Sequence, residues 1–157
     1  IRIEVPVKEE VDEGVKEEKY IEITSDLKNI KTVDKNIIYD MHSKDFSEKE
    51  VSDTKLVIDE LITNAIEHGN QFDDSKKVLI LYKFKETEDS ITLILEIEDE
   101  GSGFSVDKLK EPDISGERGR GIFIVRKIVG GLEYFNDGKK VVVYKKRRKL
   151  NDSEKQL

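Results

Sequence analysis

The sequence contains no cysteine and no tryptophan, and aromatic residues fill only 7% of its 157 positions. Without thiols there is no disulfide framework and no thiolate metal site, so any metal must sit on oxygen or imidazole ligands. Too few flat side chains are present to build a base-stacking platform. No apolar run approaches the roughly 20 residues that a membrane-spanning helix requires, and no hydrophobic leader opens the chain, so neither membrane insertion nor secretion is expected. The charge excess is acidic: 35 Asp and Glu against 28 Lys and Arg give a net charge of −7. That is the wrong sign for wrapping a phosphate backbone, and direct nucleic-acid binding is not expected. The length suits one domain, since a single core stops growing only at about 250–300 residues.

Glycine is scarce too, at ten residues, yet Gly101, Gly103, Gly116, Gly119 and Gly121 fall within one stretch of 21. Single glycines mark turns; a cluster this dense marks backbone that must approach something closely or stay mobile. Residues 1–19 are mostly charged, with an alternating start (Ile1, Ile3, Val5, Val7) able to add an edge strand to an otherwise solvated arm. Tyr20 to Ile23 alternate as a short strand. Ser25-Asp26 cap a helix whose apolar positions are Leu27, Ile30, Val33, Ile37, Ile38 and Met41. Ser47 and Glu50 form a capping box for a second helix, which runs to about His68 and stops at Gly69-Asn70. Residues 78–85 and 91–99 read as one hairpin. Residues 132–135 and 139–145 read as another, turned at Asn136-Asp137-Gly138. Between the hairpins lie the glycines and an apolar run, residues 122–129, whose β-branched content leans towards strand. The basic segment Lys145-Lys146-Arg147-Arg148-Lys149 reads as a solvated strand end rather than a binding patch.

On the second helix, 100° per residue places Val57, Ile58, Leu61, Ile62, Ala65 and Ile66 on one arc. Asp53, Glu60, Thr63, Asn64 and Glu67 share the opposite one. Glu60 and Asn64, one turn apart, lie about 5–6 Å from each other. A polar helix face is ordinarily just solvated, but a carboxylate one turn from a carboxamide also offers an oxygen ligand for Mg²⁺ beside a general base. His68 extends that row to the helix end, where an imidazole meets the last carbonyls. With no HExxH and no second nearby histidine it does not suggest zinc. His42 reads as exposed at a helix end. In the strand 91–99, Ile91, Leu93, Leu95, Ile97 and Asp99 share one face. Asp99 therefore ends an apolar row, where it either turns to solvent or meets the donor of a ligand lying in an apolar cleft. Gly101-Ser102-Gly103 follow at once, and Gly119-Arg120-Gly121 precede the apolar run. Neither stretch fits the Walker A or the GxGxxG pattern. Glycines ahead of a helix do leave free N–H groups and a positive dipole end for an anion. That favours a helix over residues 121–130, with Arg118 and Arg120 as donors to a polyphosphate.

In this order and spacing, the three pieces resemble the nucleotide site of the histidine-kinase-like (Bergerat, or GHKL) ATPase superfamily. DELITNAIEHGN, which carries Glu60 and Asn64, resembles its N box; Asp99-Glu100-Gly101-Ser102-Gly103 resembles its first glycine box, and Gly119-Arg120-Gly121-Ile122 its second. Within the superfamily the chain is similar to the small bacterial anti-sigma-factor serine kinases over roughly residues 20–147, leaving 1–19 as a charged arm and 148–157 as a polar tail. The resemblance implies a two-layer α/β sandwich, with a mixed, mainly antiparallel sheet packed on three helices and ATP held under a flexible lid of about residues 104–118. It implies that Asp99 reads the adenine amino group, that Asn64 holds Mg²⁺ on the phosphates and that Gly119 and Gly121 cradle them. His68, Gly101, Gly103, Arg118 and Arg120 count among the nucleotide-binding residues, and Glu60 takes the proton of the attacking serine hydroxyl. It further implies a cytoplasmic serine/threonine-protein kinase that binds a sigma factor or analogous regulator and phosphorylates an anti-sigma-antagonist protein, in a family where homodimers are common. Two other readings stand beside it: a non-catalytic ATP-gated binding module, and the ATPase output domain of a larger signalling protein, with which a start at Ile1 rather than Met is compatible. No histidine-bearing dimerisation helix and no transducer domain is recognisable, so a self-contained sensor histidine kinase or a topoisomerase-like member is not expected.

Overall fold

The computed structural model describes residues 2–4, 15–103 and 117–150. Most of the segment expected as a lid, Gly116 included, lies outside them, as do most of the charged arm and residues 151–157. Strands β1 (Arg2–Glu4) and β2 (Val15–Thr24) precede a 3₁₀ turn (Leu27–Asn29), helix α1 (Ile30–Ser43), helix α2 (Glu48–Asn64) and a π-helical turn (Ala65–Gly69). The hairpin β3 (Lys77–Glu86) and β4 (Ser90–Asp99) follows, then α3 (Glu117–Ile128) and the hairpin β5 (Gly131–Phe135) and β6 (Lys140–Arg148). The strands form one six-stranded sheet in the order β1-β2-β3-β4-β6-β5. Every described pairing is antiparallel, so the expected α/β sandwich takes its sheet at the antiparallel extreme. No helix among the described residues is long and apolar enough to cross a membrane.

Period-two alternation fixes which sheet face the helices cover. On β4, Ile91, Leu93, Leu95 and Ile97 are buried, while Thr92, Ile94, Glu96 and Glu98 on the other face are only partly covered. Against that buried row lie Val33, Ile37 and Met41 of α1, the six-residue apolar arc of α2 and its continuation, and Ile122 and Val125 of α3. Each such side chain contributes about 1.5–3 kcal/mol by leaving water. The capping box of α2 is formed as its sequence dictates: Ser47 Oγ accepts the Glu50 N–H at 3.1 Å, and Ser47 N–H donates to Glu50 Oε1 at 3.0 Å. The last hairpin turns through Asn136, Asp137 and Gly138, all with positive φ, a conformation that Asn, Asp and Gly tolerate best.

Four local readings change. β2 starts at Val15, not Tyr20, because the charged residues find partners: Lys19 Nζ lies 2.6 Å from Asp40 Oδ2, and Lys83 Nζ lies 3.9 Å from Glu18 Oε1. Leu27 sits in the 3₁₀ turn and is 40% exposed, so the buried stripe of α1 begins later. The helix favoured over residues 121–130 forms but starts earlier, at Glu117, and it holds despite the β-branched run because Ile122 and Val125 reach the core only at helical spacing. The basic run ends β6 as Lys145 to Arg148, with Lys149 just beyond it, and is tied into the fold. Lys145 Nζ donates to Ile128 O, Arg147 Nε donates to Lys44 O with its guanidinium 6.0 Å from the Phe46 ring, and Lys149 Nζ meets Glu86 Oε1 at 2.8 Å.

Candidate functional site

Helix α2 carries Glu60 and Asn64 on the flank towards α3, and its C-terminal turn widens. Asn70 N–H donates to Ala65 O at 2.8 Å, a five-residue step in place of the usual four. The extra residue brings Gly69 against the end of β4. A Cβ on Gly69 would overlap the Asp99 carboxylate, and one on Gly101 would overlap the Gly69 carbonyl. Gly101 N–H donates to Asp99 Oδ1 at 2.8 Å, and Asp99 N–H donates to Lys139 O at 2.9 Å. Asp99 thus sits at the end of the apolar row, its carboxylate resting on bare backbone.

Asn64, Ala65, Ile97, Asp99, Ile122 and Val141 line a cavity of about 30 Å³ between α2, the sheet and α3. Small-molecule pockets usually measure at least about 300 Å³. A nucleotide therefore requires α3 to stand further from α2. A larger cavity, about 240 Å³, lies beside the C-terminal end of α1, lined by Lys19, Asp40, Lys44, Tyr82 and Phe84 among others. Its central charge is already satisfied: Lys19 Nζ and the Tyr82 hydroxyl both donate to Asp40 Oδ2, at 2.6 and 2.7 Å. Size alone favours the second cavity; the orphaned polar chemistry is in the first. Nδ2 of Asn64 is buried without a hydrogen-bond partner among the described residues, a cost of about 1–3 kcal/mol for an amide left unpaired. A carboxamide held this way fits a phosphate-bound cation at its oxygen and an acceptor at its nitrogen.

The second glycine box packs on the same helix. A Cβ on Gly121 would overlap the Glu60 carboxylate, so the backbone of α3 reaches Glu60 only because residue 121 has no side chain. Gly119 and Gly121 lie within the first two turns of α3, not ahead of it, since the helix begins at Glu117. Arg118 and Arg120 share that first turn, which leaves its backbone N–H groups without intrahelical acceptors. Gly103 has φ +83 and packs on the carbonyl of Asp137, joining the first glycine box to the β5–β6 turn. His68 is exposed near the end of the π-helical turn, away from the cavity lining. His42 is 46% exposed at the end of α1, 3.8 Å from Glu48 Oε1.

Two polar clusters were invisible in the sequence. Asn70 is fully buried and hydrogen-bonded to three chain segments; only its place after a helix-ending glycine hinted at it. Asp34, on the buried stripe of α1, faces Asp59 and Lys55 of α2, with Lys55 Nζ 3.7 Å from Asp34 Oδ2 and 2.6 Å from Asp59 Oδ2. Burial, and then the Asp59 carboxylate beside it, push the Asp34 carboxyl up to about 7 against the opposing pull of Lys55. Its spacing with Ile30, Ile37 and Met41 was the signal available.

A family profile described as histidine kinase-like ATPase domain matches residues 23–145. Among known proteins, the chain is 33% identical over 107 residues, 62% of its length and 74% of the relative's, to the anti-sigma F factor of Clostridium perfringens strain SM101. It is 32% identical, with the same coverage, to the anti-sigma F factor of Clostridium perfringens strain 13.

Proposed function

Because the chain belongs to the histidine kinase-like ATPase family, we propose that it is an ATP- and Mg²⁺-dependent serine/threonine-protein kinase of the anti-sigma-factor type. It binds a sigma factor or analogous regulator and phosphorylates a serine of an antagonist protein. The observation that carries this reading is the meeting of Glu60 and Asn64 of α2, Asp99 of β4 and Gly121 of α3 at one junction. That the relatives are anti-sigma F factors supports the class of partner.

In this reading Asp99, oriented by the Gly101 N–H, accepts a hydrogen bond from the adenine amino group, and Ile97, Ile122 and Val141 supply the apolar walls. ATP supplies the phosphoryl group to be transferred, and Mg²⁺ neutralises charge on the phosphates. Asn64 holds that cation through its carboxamide oxygen. The free N–H groups at the start of α3, with Arg118 and Arg120, hold the phosphates. Glu60 takes the proton from the serine hydroxyl as its oxygen attacks the γ-phosphorus of ATP, and the bond from that phosphorus to the bridging oxygen breaks so that ADP leaves. The chain's own contribution is positioning, charge stabilisation and one proton transfer.

The test is transfer of labelled γ-phosphate to a cognate antagonist. Glu60→Ala is expected to lower the transfer rate by about 10²–10⁴-fold, the usual worth of a general base, with ATP affinity retained. Equal rates in the two proteins refute the base role, and calorimetry that finds no Mg·ATP binding refutes the whole reading. The close contact of α3 with Glu60 favours a second reading, an ATP-gated binding module without transfer. ATP binding that alters partner affinity, with no phosphoserine formed, selects it.

A further inference from the structure

Asn70 lies where three chain segments meet, with no exposure to solvent. Its Oδ1 accepts the backbone N–H of Glu100 at 2.8 Å, and its Nδ2 donates to Ser25 Oγ and to Lys77 O, each at 3.0 Å. Ser25 Oγ passes the link on to Lys76 O at 2.6 Å, and Glu100 Oε1 closes it by accepting the Lys77 N–H at 2.9 Å. A carboxamide suits this position because it offers an acceptor and a two-proton donor from one short side chain. An aspartate would turn a second acceptor onto the Lys77 carbonyl, and an apolar residue would strand the Glu100 N–H.

The amide that Asn70 holds belongs to the peptide joining Asp99 to Glu100. Fixing it fixes the plane from which the Asp99 side chain departs, and the next N–H, that of Gly101, donates to Asp99 Oδ1. The residue before Asn70 is Gly69, whose bare Cα lies against the same carboxylate. Asn70 therefore sets both the peptide that aims Asp99 and the glycine on which Asp99 rests. We propose that Asn70 is the positioning residue for base recognition: through the Asp99–Glu100 peptide it aims the Asp99 carboxylate at a purine 6-amino group, and so sets the preference for 6-amino over 6-oxo purine nucleotides. This role rests on the assignment of Asp99 to the base.

The experiment is calorimetry of Mg·ATP and Mg·inosine triphosphate binding to the full chain. The wild type is expected to favour ATP by about tenfold or more, the worth of one hydrogen bond to a charged acceptor. Asn70→Asp, which keeps the acceptor and loses the donor, and Asn70→Ala, which loses both, are expected to bring that ratio within about threefold, chiefly by weakening ATP. A variant that melts earlier yet keeps the ratio shows a merely structural role and overturns the proposal. If both variants fail to fold, Ser25→Ala, which removes one of the two acceptors of Nδ2, decides: a partial fall in the ratio supports the proposal and an unchanged ratio overturns it. Asp99→Asn separates the two levels. If it keeps the ratio, the base assignment falls and the Asn70 role with it. If it abolishes the ratio while the Asn70 variants keep it, only the Asn70 role falls.

Discussion

Asp59 and Glu60 are adjacent on α2 and face opposite flanks of it. Asp59 turns to α1, where it meets Asp34 and Lys55; Glu60 turns to α3, where it meets the backbone of Gly121. On the first flank charge is met by charge. Oδ1 of Asp34 and Oδ1 of Asp59 are both buried without a hydrogen-bond partner among the described residues, and burial beside the second carboxylate favours the protonated form of Asp34. On the second flank the carboxylates of Glu60 and Asp99 lie against glycine backbone, and Nδ2 of the nearby Asn64 has no hydrogen-bond partner among the described residues. The pair with the perturbed acid holds two helices together, whereas the flank with the small residues has the shape of a binding site. A shifted pKa marks a site only when there is somewhere for a ligand to go.

The sharpest way to break this contrast is to give the second flank a side chain. Gly121→Ala drives a methyl into the Glu60 carboxylate, and the displacement of that carboxylate is expected to lower phosphoryl transfer by about 100-fold, the usual effect of an ångström's misplacement. A transfer rate within a few fold of wild type would show that the position of Glu60 against Gly121 does not govern transfer. Next is the proton on the first flank. The native state binds it more tightly than the unfolded chain, whose aspartate keeps the ordinary value of 3.8. The contribution of Asp34 to stability is therefore complete below about pH 4 and is lost as pH rises from about 4 to about 7. Asp34→Asn is expected to remove that slope and to stabilise the protein at pH 8 by on the order of 2 kcal/mol, measured by denaturant unfolding at pH 5 and 8, with ATP affinity unchanged. A slope that persists in the variant would place the proton elsewhere. Lys55→Met should do least. Lys55 is half exposed, so its loss is expected to destabilise by less than about 1 kcal/mol in chemical unfolding at pH 7; a larger effect would make the lysine, not the proton, the main tie between the helices.

Much of this was legible in residue type and period. The two arcs of α2, its capping box and both hairpins follow from spacing that only one geometry satisfies. Glu60, Asn64 and Asp99 stand out because each polar group sits at a marked place in an otherwise regular pattern. The apolar run of α3 was ambiguous, because eight residues fit a buried strand as well as a helix. Asn70 and Asp34 were hidden for another reason: whether a polar side chain is buried depends on which distant segments cross it. Ser25 and Glu100 are 45 and 30 residues from Asn70 in the chain, and Asp59 is a whole helix away from Asp34.

The π-helical turn after α2 makes the spacing of this region a matter of counting as well as identity. Loss of one residue between Ala65 and Gly69 would restore the ordinary helical step and swing everything beyond it by about 100°. Gly69 would leave the Asp99 carboxylate and Asn70 would leave the Glu100 amide, although every side chain in both contacts was still present. The turn acts as a phase marker, setting the angular register between the helix layer and the end of β4. Replacing the side chain of Glu67 or of the exposed His68 leaves that register as it is, whereas changing how many residues stand there does not.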